Sequence, residues 1–224
     1  MRRALLLDAG NTLVYLDHEA VGEVAGLPGA ALAAAERAAK RRYEVFLAEE
    51  GASHEDGWFL FMRCLLEEAG AEGGTAAIEA RVLALRAAHD EHNLWRRVPE
   101  GLPEALERLR AAGWALGVVS NSEGRLGELF ERVGLGGRFE VVIDSGVVGV
   151  RKPDPRIFAM ALEALEVPAE RAVYAGDIPD VDVEGARAAG IEGVLVDTAG
   201  HYPEYAAAPR YAHTVDLVEA LLRR

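Results

Sequence analysis

The sequence is short of cysteine, of lysine and of positive charge, and each shortage excludes something. Cys64 is the single cysteine among 224 residues, so an internal disulfide and a thiolate metal cluster are both ruled out, and the chain suits a reducing cytoplasm. Acids outnumber bases by 37 to 24, a net charge of −13, so a nucleic acid would meet net repulsion and is not expected as a partner. No apolar run approaches the ~18 residues needed to span a bilayer, and no membrane association is expected. The opening MRRALLLDAG starts like a signal peptide but loses its apolar character at Asp8, well short of a signal core. Internal repeats and low-complexity tracts are missing too. What is present is ordinary for a folded domain, with 50% hydrophobic and 27% charged residues. The length is roughly one and a half typical domains of about 150 residues, which predicts one core with an insert.

Four short aliphatic runs lack helical periodicity and end in small or polar residues: Ala4–Leu7, Ala115–Ser120, Val141–Ser145 and Ala172–Ala175. Gly193–Val196 follows the same rule. Buried parallel strands read this way. Helical segments separate them at about Leu102–Ala112, Gly124–Val133, Pro155–Leu165 and Val181–Ala189. That alternation predicts an α/β fold, a doubly wound parallel sheet of five strands.

About a hundred residues separate the first strand from the second, where a βαβ crossover needs only about thirty. The excess is helical. Leu32, Ala35, Ala39, Tyr43 and Phe46 recur at helix spacing in a segment ending at Gly51. Ser53, spaced to Asp56 as in a capping box, opens a helix carrying Trp58, Met62 and Leu65 up to Gly70. Thr75 is expected to cap a third, with Ile78, Val82 and Leu85. Residues 15–97 therefore read as a helical domain set into a core made of 1–14 and 98–224.

Ligands of open α/β sheets sit at the carboxyl ends of the strands. Asp8 and AGNT, including Thr12, follow the first strand; Ser120 and Asn121 end the second; Lys152 follows the third; Gly176, Asp177 and then Asp182 follow the fourth. One Asp after a strand is usually a turn former or a helix cap. Three acids, a hydroxyl and a lysine on one edge fit phosphoryl transfer through an aspartyl phosphate, where a carboxylate attacks phosphorus and water later cleaves the acyl phosphate. Two anions must meet in that reaction. Mg²⁺ offsets their repulsion and wants a few hard oxygens, which Asp8, the carbonyl of Gly10 and Asp177 can supply. The acids at 177, 180 and 182 reinforce a cation site. A serine or threonine hydroxyl with backbone N–H groups can hold the remaining phosphate oxygens, and Thr12, Ser120, Asn121 and Lys152 are the residues expected at the phosphate.

Lysine occurs only at positions 40 and 152, so arginine is this chain's default cation. A lysine kept in RKPDP suits a compact point charge where a planar fork would not fit. Lys40, in AERAAKRRYE, reads instead as part of a solvated helix face.

Taken in order, DAGNT, VVSNS, RKPDP and GDIPDVD resemble the four motifs of the haloacid dehalogenase (HAD) superfamily, from Leu5 to about Gly200. The insert lies where the phosphoglycolate phosphatase-like and dehalogenase-like members carry a helical C1 cap. The resemblance implies Asp8 as nucleophile, Ser120 as phosphate holder, Lys152 as neutraliser of nucleophile and phosphate, Asp177 as metal ligand and Asp182 as support for the metal or the lysine.

One position departs from the pattern. Family phosphatases usually carry a second Asp two residues after the nucleophile as general acid and base, and here Gly10 stands there. Tyr15, Asp17 and His18 lie just beyond and read as surface loop residues in preference to a substitute acid. Branches lacking that Asp include L-2-haloacid dehalogenases, which use no Mg²⁺, and phosphonoacetaldehyde hydrolases, which use a cap lysine. A third alternative is a fold that only binds a phosphorylated ligand or a partner protein, but retention of Asp8 beside the phosphate argues against it. The expected reading is a cytoplasmic Mg²⁺-dependent phosphohydrolase of a small phosphorylated metabolite.

Overall fold

The computed structural model describes residues 2–47 and 53–224, except the side chain of residue 54. It divides into two compact units, Met1–Tyr15 with Arg97–Arg224, and Leu16–Arg96. In chain order, β1 (Arg3–Leu7) and β2 (Tyr15–Leu16) precede α1 (His18–Ala25), α2 (Gly29–Leu47), α3 (His54–Glu68) and α4 (Gly74–Glu91). After β3 (Trp95–Arg97) come α5 (Leu102–Ala111), β4 (Trp114–Ser120), α6 (Leu126–Arg132), β5 (Val141–Asp144), α7 (Ser145–Val148) and α8 (Pro155–Leu165). The chain ends through β6 (Ala172–Gly176), a π-helical turn Pro179–Val183, α9 (Glu184–Ala188), β7 (Glu192–Val196), β8 (Arg210–Tyr211) and α10 (Thr214–Leu222). β2 and β3 pair as a separate two-stranded sheet.

The main sheet is parallel, in the order β5-β4-β1-β6-β7-β8. From β1 the chain steps to β4 and β5 on one side, then returns to lay β6, β7 and β8 on the other. That reversal makes β1 the switch point, where loops after neighbouring strands diverge and leave a crevice. Strands β4 and β6 are buried along their whole length, which is why they read as continuous apolar runs. On one face Leu6, Ala115 and Val119 pack with Ile157, Phe158 and Ala161 of α8. The alternate residues Leu5, Leu7, Leu116 and Val118 are buried towards the other face, where α5 packs on β4 and α10 on α5.

The sheet has six strands, one more than expected. β8 is a two-residue strand that joins by Leu195–Arg210 and Val196–Tyr211 pairing, too short and too exposed to leave an apolar run. The segment expected as a helix over Val181–Ala189 begins instead as the π-helical turn, and only Glu184–Ala188 is α-helical.

The second unit packs Leu32, Ala35 and Ala39 of α2, Trp58, Met62 and Leu65 of α3, and Ile78, Val82 and Leu85 of α4 into one core, with Tyr43 against it. The expected end of the first of these helices at Gly51 lies outside the described residues. Ser53 caps α3 as its spacing suggests, its Oγ accepting from the Asp56 N–H at 3.0 Å. Thr75 does not cap α4, which opens two residues earlier after Gly73 at φ 103° with no side-chain cap bond. Asp17 and His18 mark the start of α1, as its cap and its first residue. Asp17 caps α1 and accepts from Arg96 Nε at 2.9 Å, and His18 Nε2 lies 2.8 Å from Glu36 Oε2. Lys40 is not solvated: it is buried, 3.8 Å from Glu44, while its neighbours Arg41 and Arg42 take the exposed side.

Leu6→Ala removes a fully buried side chain from the middle of the sheet's core. It is expected to cost about 2–5 kcal/mol, read from the denaturation midpoint at unchanged slope. A loss below about 1 kcal/mol would contradict close packing on this face.

Candidate active site

Leu7 pairs with Val118 on one side and Ala175 on the other, so Asp8, Ser120 and Asp177 come off three adjacent strands within two residues of one level. All three are buried. The Asp8 N–H continues the ladder to the Ala175 carbonyl at 2.8 Å, which fixes the backbone from which its carboxylate projects.

Lys152 arrives from the loop before α8 and is itself buried. Its Nζ donates to Asp8 Oδ1 at 2.6 Å, to Asp182 Oδ1 at 2.7 Å and to the Tyr174 hydroxyl at 2.7 Å. These three bonds use every proton of the ammonium. Burial by itself would lower the lysine pKa, but the carboxylates of Asp182 and Asp8 outweigh it, and the pKa rises above its ordinary value. Lys152 is therefore a fixed positive charge across the working pH range.

Asp182 reaches the lysine because the π-helical turn folds it back. Its N–H donates to the Ile178 carbonyl at 2.8 Å, and its Oδ2 accepts from the Ile178 N–H at 2.9 Å. Gly176 is required beneath it, since a Cβ there would lie 2.3 Å from the Asp182 carboxyl carbon. With both oxygens engaged, Asp182 supports the lysine from below.

Asp8, Asp177 and Asp182 bring ligand oxygens within 4.8 Å of one another. Against these three carboxylates stands one ammonium. The imbalance shows at Asp8: burial, opposed by Lys152 and helped by Asp182 and Asp177, pushes its pKa up to about 6. Asp180, counted with the cation site from sequence, is exposed and does not belong to this cluster.

The loop after Asp8 wraps around the Ala9 carbonyl, which accepts from the N–H groups of Leu13 and Val14, and Asn11 sits in the left-handed region at φ 54°. Asn11 Nδ2 donates to Asp177 Oδ2 at 3.1 Å. Thr12 Oγ1 and Asn11 Oδ1 are buried and, among the described residues, have no hydrogen-bond partner. Buried polar atoms left this way point to a ligand, an ion or a water. Gly10 lies between Ala9 and Asn11, half-buried, and pairs in an isolated bridge with Val14.

Asn121 was expected at a phosphate, but its amide is used on the lysine loop: Nδ2 donates to the Lys152 carbonyl at 3.0 Å and Oδ1 accepts from the Lys152 N–H at 2.8 Å. It pins the backbone of Lys152 to the end of β4.

Three residues escaped the sequence reading: Tyr174, Asn11 and Asp144. Asp144 ends β5 beside Ser120, and its carboxylate accepts from the N–H groups of Gly124 and Gly146 at 2.9 Å each and of Leu126 at 3.2 Å. It shapes the loop that follows Ser120. Position at a strand end was a usable signal for Asp144. Tyr174 offered none, because a strand buried on both faces hides a phenol among core aromatics.

A family model described as a haloacid dehalogenase-like hydrolase matches residues 2–190. A phosphoserine phosphatase of Thermus thermophilus is 40% identical over 164 residues, which are 72% of this chain and 64% of that protein, just under two thirds of its length. The crystal structure of an HAD phosphatase from Thermococcus onnurineus superposes with a TM-score of 0.62 at 21% identity, covering 99% of this chain and 98% of the other. A 2-haloacid dehalogenase from Pseudomonas syringae pv. Tomato DC3000 gives 0.61 at 25% identity, covering 100% and 99%. Asp8 and Asp182 hold one lysine with Asp177 beside them, and the family match runs through all four; the chain belongs to the haloacid dehalogenase-like hydrolases.

Proposed function

We propose that this chain is a Mg²⁺-dependent phosphohydrolase that acts on a small phosphorylated metabolite through an aspartyl phosphate on Asp8. The observation that carries the reading is the surplus of buried negative charge at Asp8, Asp177 and Asp182 over Lys152. A carboxylate nucleophile working without a metal has no use for that surplus, whereas a divalent cation offsets it. The phosphatase name of the Thermus relative supports the same choice over dehalogenation.

The donors are hard oxygens without sulfur or imidazole, a set that suits Mg²⁺ better than softer metals. Asp8, Asp177 and the Gly10 carbonyl would hold the ion. Asp182 would stand behind them, since Lys152, Tyr174 and the Ile178 N–H take its oxygens. When bound, the ion screens the carboxylate from the phosphate it attacks and polarises the phosphoryl group.

Asp8 supplies the nucleophile. An oxygen of its carboxylate forms a bond to phosphorus, and the bond from phosphorus to the leaving oxygen breaks with its electron pair on that oxygen. Lys152 holds Asp8 in place and opposes the rise in its pKa, favouring the anion. The hydroxyls of Ser120 and Thr12 are placed to take phosphate oxygens, and the buried, unpartnered Thr12 Oγ1 supports that role. Water then cleaves the acyl phosphate, releasing phosphate and restoring Asp8. Gly10 gives no proton to the leaving group, so substrates whose leaving group departs as a stable anion are favoured.

Hydrolysis of p-nitrophenyl phosphate or of a small sugar or acid phosphate should vanish in EDTA and return with Mg²⁺, and Asp8→Asn should abolish it in a folded protein. Undiminished turnover in excess chelator, or in the Asn variant, would refute the reading.

The raised Asp8 pKa sets a sign for stability. The neutral carboxyl is favoured in the fold, so this contribution is complete below the unfolded value near 3.8 and is lost as pH rises through about 6. Mg²⁺ should reverse the loss where Asp8 is ionised. The rise in Tm from EDTA to Mg²⁺ should be larger at pH 7.5 than at pH 5.0, by several degrees. An equal rise at both pH values would remove Asp8 from the cation site.

Gly10→Asp should flatten the dependence of log rate on leaving-group pKa by supplying a carboxyl that can protonate an alkoxide. Equal slopes in the two folded, Mg²⁺-bound proteins would mean that another group already donates that proton.

A further inference from the structure

We infer that Tyr174 is a positioning residue of the reaction, acting through Lys152 by supplying the third acceptor that fixes the ammonium on Asp8. The inference deepens the function proposed above and rests on its assignment of Asp8 and Lys152.

Tyr174 lies in the middle of β6 and is fully buried. Its hydroxyl accepts from Lys152 Nζ at 2.7 Å. The single phenolic hydrogen points to the Val119 carbonyl at 2.9 Å, with Asp182 Oδ1 as a second acceptor at 3.1 Å. The ring packs edge-on against Phe158, with centroids 4.9 Å apart and planes at 85°, so the phenol has no room to swing away. A purely structural aromatic at this position would be served by phenylalanine, without a hydroxyl to desolvate. Here the hydroxyl satisfies its bonding capacity on groups of the site and on the residue preceding Ser120.

An ammonium has three protons in a tetrahedral fan, and two carboxylates alone leave one of them without an acceptor. The nearer it leans to Asp182, the less it holds Asp8. Tyr174 closes the fan and ties its apex to the backbone of β4, next to Ser120. Nucleophile, lysine and phosphate-holding strand are thereby referred to one point. Burial and the nearby Asp182 and Asp8 carboxylates raise the phenol pKa well above its ordinary value, so it remains a neutral hydroxyl at any working pH.

The test is a double-mutant cycle of Tyr174→Phe with Lys152→Arg, measured on whichever ester or haloacid the parental protein turns over. Tyr174→Phe should lower kcat about 5- to 30-fold with KM within about twofold, and in the Lys152→Arg background its further cost should shrink to less than about twofold. The same factor in both backgrounds, or parental kcat in the single variant, would overturn the proposal. A second readout does not need turnover. Because the chain has two lysines, ¹⁵N-lysine labelling resolves the Lys152 ammonium with Lys40 as internal reference. Tyr174→Phe should speed proton exchange at Lys152 by about tenfold and leave Lys40 unchanged, and an unaltered Lys152 exchange rate would also overturn the proposal. If the parental protein hydrolyses no phosphate ester, the phosphohydrolase reading fails while the exchange measurement still decides the role of Tyr174.

Discussion

The buried contact between Lys152 and the carboxylates of Asp8 and Asp182 is the constraint on which the rest depends. Three carboxylates and an ammonium cannot be taken out of water singly, because an unpaired buried charge costs several kcal/mol. They can be buried together if each is given partners, and the chain spends local structure on that. The π-helical turn returns Asp182 to the lysine, Gly176 leaves room for its carboxylate, and Asn121 holds the lysine backbone. Removing the Lys152 ammonium would leave all three carboxylates uncompensated.

The same pairing explains why the site lies where it does. The strand order reverses at β1, so the loops after β4, β1 and β6 part at their carboxyl ends and leave Asp8, Ser120 and Asp177 facing one crevice. Flanking strands end in acids as well, but those acids do different work. Asp144 collects three backbone N–H groups, and Asp197 collects the N–H groups of His201 and Tyr202 together with Arg210. Central acids face one another and the lysine, while outer acids are neutralised by loop backbone or arginine. Charge surplus is confined to the middle of the edge.

Much of this was legible because strands buried on both faces cannot hide a charge: Asp8 and Asp177 stand out directly after apolar runs, and Lys152 stands out in a chain that otherwise uses arginine. Local rules served less well where tertiary partners decide. Lys40 looked solvated among arginines, yet the rotation of α2 buries it beside Glu44. Asp17 looked like loop, yet Arg96, distant in sequence, holds it as the cap of α1. Thr75 was a fair cap by type, but Gly73 in the left-handed region lets α4 begin two residues sooner.

The sequence by itself determined the order of the five long parallel strands and the helices between them, and the residue types at the strand ends, because apolar periodicity and strand termination are local properties of the chain. Tertiary structure alone decided which acids share a charge cluster. Asp180 and Asp182 are two residues apart, and the π-helical turn sends one to solvent and the other onto Lys152. It also decided that Tyr174 is part of the site, since its hydroxyl is defined by Lys152 and Val119, 22 and 55 residues away, and no local pattern encodes contacts made across a sheet.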